Sequence, residues 1–139
     1  MTVKRVSAEE AKHLIDDEGY VYVDVRSLPE FEAGHPTGAY NVPLMHQAPT
    51  GMTPNPDFLG VMEKTFPKTA KLVVGCKAGG RSARAAAVLE AAGFTDVMDQ
   101  KGGYEGHSPD EPGWRPKGLP ISTQAPADRT YDGLRSRKP

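Results

Sequence analysis

Two short runs constrain the fold more than anything else in the chain: Tyr20-Val21-Tyr22-Val23-Asp24-Val25 and Leu72-Val73-Val74-Gly75. Both are β-branched and aromatic with almost no polar interruption, the pattern of a strand covered on both faces. Such strands belong inside a parallel sheet with helices above and below it. Helical patterns alternate with them. Ser7-Ala8-Glu9-Glu10 has the form of a capping box, and Ala11, Leu14 and Ile15 follow at helical spacing until Gly19. Ser27-Leu28-Pro29-Glu30 opens a one-turn helix closed by Gly34. Asn55-Pro56-Asp57 starts another, with Phe58, Leu59, Met62 and Phe66 on one face and Pro67 as its stop. Ser82 to Ala92 predicts an Ala-rich helix with Gly93 at C′. Residues 39–42 and 95–98 supply shorter strands, and the rest of 35–54 is expected to be mostly loop. The expected class is α/β, a central, mostly parallel sheet of about five strands flanked by helices on both faces.

With 139 residues, the chain supports one domain. That domain is assigned to residues 1–121. Residues 122–139 lack apolar periodicity and are expected to form an extended or weakly ordered tail. The 17 basic and 18 acidic side chains leave a net charge of −1, so neither nucleic-acid nor membrane binding is expected. A single cysteine excludes an internal disulfide framework and a thiolate-rich metal site. His13, His35, His46 and His107 have no ligand spacing, so no metal and no cofactor are expected, and His35 is assigned a structural role. Residues 1–20 contain Lys4, Arg5, Glu9, Glu10, Lys12, Asp16, Asp17 and Glu18, which does not fit a signal peptide. No run approaches the roughly 18 apolar residues of a membrane helix. A cytoplasmic monomer or weak dimer is expected.

The segment that carries chemistry is Cys76-Lys77-Ala78-Gly79-Gly80-Arg81-Ser82, between a buried strand and a helix. Successive glycines let backbone N–H groups turn inward as an anion-binding nest, and the helix N-terminus adds partial positive charge. A thiol placed there is expected to ionise more readily than usual. From Lys64 to Leu89 the chain has six bases (Lys64, Lys68, Lys71, Lys77, Arg81, Arg84) and no acid, which favours anionic substrates. Cys76 is the candidate nucleophile. Lys77, Ala78, Gly79, Gly80, Arg81 and Ser82 are candidate substrate-binding residues. Lys77 and Arg81 are candidates for gripping the donor's oxygens, with Arg81 turned inward to brace the loop as the alternative.

The chain resembles the rhodanese family in its single-domain form, over residues 3–121. The resemblance is carried by Val23-Asp24-Val25-Arg26, Glu30-Phe31, Gly34-His35, Gly38-Ala39, Asn41 and Pro43. It continues in Cys76 through Ser82, Gly102-Gly103-Tyr104 and Gly118-Leu119-Pro120. It implies the rhodanese-like fold, with the cysteine in a cradle-like loop and sulfur transferred through a cysteine persulfide. The implied substrates are a small anionic donor such as thiosulfate and a thiophilic acceptor, a thiol or a protein. A sulfur carrier with little thiosulfate turnover and a non-catalytic binding module are the alternatives. Tyrosine phosphatases and arsenate reductases place five residues between Cys and Arg. Four stand here, which disfavours those chemistries. In the family, Asp24 and Arg26 mainly hold structure, and an Arg26–Asp24 or Arg26–Glu30 ion pair is expected. Trp114 comes late after the Gly-Gly turn, so 105–117 is expected as an extended loop with Trp114 packed over an edge of the sheet.

Overall fold

The computed structural model describes residues 3–77, 80–109 and 111–136. In chain order the elements are β1 (Lys4–Val6), α1 (Ala8–Asp17), β2 (Val21–Asp24), α2 (Leu28–Ala33), β3 (His35–Pro36), β4 (Tyr40–Asn41), β5 (Met45–Ala48) and β6 (Gly51–Pro54). There follow α3 (Phe58–Thr65), β7 (Leu72–Gly75), α4 (Gly80–Ala91), β8 (Val97–Gln100), β9 (Gly106–Ser108), β10 (Glu111–Pro112), β11 (Ile121–Ser122) and α5 (Tyr131–Arg135). Five strands form one sheet in the order β1-β8-β7-β2-β4, every neighbouring pair parallel.

The two uninterrupted runs are β2 and β7, and they lie side by side inside the sheet with Val23 opposite Val74. Alternation along them divides the core into two layers. Val23, Leu72 and Val74 face Phe58, Val61 and Met62 of α3 and Ala85, Ala86 and Leu89 of α4. Tyr22 and Val73 face Ala8 and Ala11 of α1, Phe31 of α2 and Trp114. Helices therefore cover both faces, as the apolar runs require. The Ser7 capping box forms, with Ser7 Oγ accepting from Glu10 N–H and Glu10 Oε1 accepting from Ser7 N–H, both at 3.1 Å.

The structure differs from the sequence expectations in four places. The edge strand β1 is three residues, two of them exposed, and gives no apolar signal. Residues 45–54 form the antiparallel β5–β6 hairpin rather than loop. The β9–β10 hairpin interrupts 105–117, and Trp114 packs on a sheet face, not over an edge. Its ring meets Tyr22 edge-on at 5.3 Å, and its Nε1–H donates to the Pro120 carbonyl at 2.7 Å. The expected extended tail is instead ordered through Ser136. Strand β11 pairs with β3, a 3-10 turn spans Ala127–Arg129, and α5 buries Tyr131 and Leu134 in the layer beneath α3 and α4. Two apolar residues three apart are too short a pattern to show periodicity, yet they suffice for one turn of helix to be anchored. Thr130 Oγ1 caps that turn, accepting from Gly133 N–H at 3.3 Å, and Asn55 Nδ2 donates to the Tyr131 hydroxyl at 3.1 Å.

Leu134 is fully buried. Leu134→Ala is expected to lower unfolding free energy by about 2–4 kcal/mol in a denaturant titration. A loss below about 1 kcal/mol would show that α5 does not belong to the core.

Candidate active site

Strands β2 and β7 pair with Asp24 opposite Gly75. Beyond that pair the chain departs in opposite directions, through α2 to β4 on one side and through α4 to β8 on the other. A parallel sheet opens a ligand crevice at such a switch point, at the carboxyl ends of the strands. Cys76 is the first residue past β7.

Its neighbours are fixed by packing. A Cβ on Gly75 would stand 1.8 Å from the Tyr22 hydroxyl oxygen. That hydroxyl is buried, and it donates to Gln100 Oε1 at 2.6 Å. Gln100 Nε2 in turn donates to the carbonyls of Lys101 (2.6 Å) and Gly103 (3.0 Å), shaping the turn that backs the cysteine loop. From this turn Tyr104 N–H donates to the Cys76 carbonyl at 2.6 Å and Glu105 N–H to the Lys77 carbonyl at 2.9 Å. Gly103 makes the approach possible, because its φ is +58° and a Cβ there would lie 2.2 Å from the Cys76 carbonyl oxygen. In a trans peptide N–H and C=O point opposite ways, so drawing the Cys76 carbonyl to this turn aims the Lys77 N–H away from it.

Cys76 itself is buried, 2% exposed. Its thiol donates to Ser82 Oγ at 3.6 Å, and the Ser82 hydroxyl donates to Asp99 Oδ1 at 2.6 Å. Arg5 Nε donates to the other oxygen of Asp99 at 3.2 Å. Helix α4 begins at Gly80, so Ser82 lies within its first turn with its side chain turned into the core.

Arg81 takes the inward alternative. Its guanidinium fork closes on Glu30 of α2, Nη1–Oε1 at 2.7 Å and Nη2–Oε2 at 2.9 Å, joining the starts of α4 and α2 across the crevice. Glu30 Oε1 also accepts from the Ser27 N–H and hydroxyl. Burial pushes the Glu30 carboxyl up, but the Arg81 fork and the Ser27 donors outweigh it and hold Glu30 at about 2. The hydrogen bond to Glu30 likewise raises Arg81. Lys77 is exposed and lines a cavity of about 300 Å³ with Arg26, Glu30, Gly34, Tyr104 and Arg115. Gly80 is exposed at the start of α4. Ala78 and Gly79 lie outside the described residues.

Asp24 and Arg26 form the expected ion pair, Arg26 Nη2 to Asp24 Oδ2 at 2.7 Å. The same Nη2 donates to the Gly34 carbonyl at 2.6 Å, and the guanidinium lies over the Tyr104 ring. His35 is buried away from the cysteine. Its ring stacks on Phe31 and bridges the carbonyls of Phe31 and Gln124, tying α2 to the tail. Among the described residues, no cluster of three or more His, Cys, Asp or Glu is placed to hold a metal. The sequence reading missed Asp99 and Arg5. Asp99 alternates with inward-facing Val97, and that inward acid on a core strand was the available signal.

A parallel sheet with one cysteine on a clamped, helix-headed loop at its switch point defines a domain built around a single thiol. The rhodanese-like domain family model matches residues 7–108, and the chain belongs to that family. It is 44% identical over 102 residues to thiosulfate sulfurtransferase 16, a chloroplastic protein of Arabidopsis thaliana, covering 73% of this chain and 79% of that one. It is 34% identical over 124 residues to thiosulfate sulfurtransferase 18 of the same plant, covering 88% and 85%. The crystal structure of Rv0390 from M. tuberculosis superposes with a TM-score of 0.74 at 28% identity, over 89% of this chain and all of that one.

Because Glu30 is depressed from about 4.5 to about 2, its contribution to stability is present above pH 4.5 and is lost as pH falls toward 2. Urea unfolding of the parent and of Glu30→Gln is expected to show a gap that is widest near pH 6 and narrows across that window. A gap that does not change with pH would contradict the assignment.

Proposed function

We propose that the chain is a sulfurtransferase that moves sulfane sulfur from a small anionic donor, thiosulfate being the simplest, to a thiophilic acceptor through a persulfide on Cys76. The observation that carries the reading is the backbone clamp, which draws the Cys76 and Lys77 carbonyls against residues 103–105 and, across the trans Cys76–Lys77 peptide, turns the Lys77 N–H away from them. Family membership and the relatives named thiosulfate sulfurtransferase support it.

In the first half-reaction Cys76 Sγ, as thiolate, attacks the outer sulfur of thiosulfate. An S–S bond forms to the protein, the donor's own S–S bond breaks, and sulfite departs with the electron pair. In the second, a nucleophile such as cyanide or a thiolate takes the outer sulfur and returns Sγ as thiolate. This is covalent catalysis by a nucleophile activated by its surroundings. The N-terminus of α4 and the loop amides stabilise negative charge on either sulfur. Lys77, the exposed base beside the loop, attracts the dianionic donor. Arg81 acts at one remove, by fixing the start of α4 against Glu30.

Intact-protein mass after incubation with thiosulfate tests the reading. One added sulfur on the parent, absent from Cys76→Ser and removed by cyanide, is the expected result. No added sulfur from thiosulfate or from a persulfide donor would overturn it.

A further inference from the structure

Cys76 poses a problem that the loop alone does not solve. The thiol must lose its proton before it attacks, yet the residue is almost wholly buried and its proton points inward, to Ser82. Ser82 passes the line of hydrogen bonds on to Asp99, and Arg5, directly opposite Asp99 in the β1–β8 register, holds the far side of that carboxylate. Asp99 is itself 1% exposed, on a strand whose neighbouring inward residue is Val97. A carboxylate buried to that degree is retained against a desolvation cost, and here it lies two hydrogen bonds from the nucleophile.

We propose that Asp99 is the proton-accepting residue of this site, acting through the Ser82 hydroxyl to take the Cys76 proton. This rests on Cys76 being the nucleophile of the proposed reaction. The thiol proton moves to Ser82 Oγ while the Ser82 hydroxyl proton moves to Asp99 Oδ1. The S–H and the old Ser82 O–H bonds break, two O–H bonds form, and the negative charge passes from Asp99 to Sγ. The proton remains on Asp99 while the persulfide anion exists. It returns by the same route when the acceptor has removed the outer sulfur and left Sγ as thiolate. The cycle therefore needs no proton from bulk water. Among the described residues, the charged and titratable groups nearest this line include Arg5 from β1, Arg81 from α4 with its partner Glu30 from α2, and the Tyr22 phenol from β2. The two cations offset the charge at either end, and Tyr22 is held as the neutral phenol by its burial and lends no base.

The relay makes a prediction opposite in sign to simple charge repulsion. The reactive form, thiolate with protonated Asp99, has the same proton count as the resting form. Alkylation of Cys76 by iodoacetamide should therefore be nearly independent of pH from 6 to 8. In Asp99→Asn the amide oxygen can still accept from Ser82 but takes no proton. Its alkylation should be slower on the order of 100-fold at pH 7 and rise about tenfold per pH unit. Ser82→Ala should show the same profile, and the double variant should be no slower than either single one, since all three break one path. Thermal melts confirm folding, and if Asp99→Asn does not fold, Ser82→Ala alone decides. An Asp99→Asn or Ser82→Ala protein alkylated as fast as the parent, or faster as removal of a nearby negative charge alone would make it, overturns the relay. Alkylation requires no sulfur donor. A parent that fails to load sulfur but shows these profiles refutes the persulfide reaction and leaves the relay standing.

Discussion

The site depends on two backbone hydrogen bonds, from Tyr104 N–H to the Cys76 carbonyl and from Glu105 N–H to the Lys77 carbonyl. Each contributes only about 1 kcal/mol net, but leaving the carbonyl of buried Cys76 unpaired costs about 1–3 kcal/mol, so that peptide is held in one orientation. Much of the sequence around the crevice serves this contact. Gly103 lets the two backbones touch, Gln100 shapes the turn through its amide, Tyr22 holds Gln100, and Gly75 leaves room for the Tyr22 hydroxyl. Trp114 completes the support by packing on Tyr22 from the far face of the sheet.

Around that clamp two ion pairs tie elements to one another. Asp24–Arg26 joins the end of β2 to Gly34 and Tyr104, and Glu30–Arg81 joins α2 to α4. Replacing a buried pair by apolar packing can cost nothing, whereas removing one partner is destabilising, and each pair defines one arrangement of the groups it connects. Lys77 is the base of the Cys76–Ser82 segment that stays exposed and lines the adjoining cavity. Within the basic run from Lys64 to Arg84, Arg81 pairs with Glu30 and Lys77 faces solvent.

Most of the fold was legible because β2 and β7 are unbroken apolar runs and the helices between them show a helical period with their own caps and stops. The candidate nucleophile stood out because glycine, cysteine and base in that order have few structural uses. What escaped shares one cause: it is decided by contacts between distant parts of the chain. Strand β1 exists because its three residues pair with β8, and α5 exists because Tyr131 and Leu134 find a gap in the core. The placement of Arg81 is set by Glu30, 51 positions away. Asp99 lies one residue past the expected strand at 95–98, and its partners Ser82 and Arg5 come from distant parts of the chain.

The central claim is the proposal that Cys76, its carbonyl clamped against residues 103–105, takes up a second sulfur. A crystal structure of protein treated with thiosulfate tests it directly. The account predicts a sulfur bonded to Sγ at about 2.05 Å, with the Tyr104–Cys76, Glu105–Lys77 and Arg81–Glu30 contacts unchanged. A persulfide seen only after the loop has swung off residues 103–105, or a second sulfur pointing away from the loop amides, would contradict it.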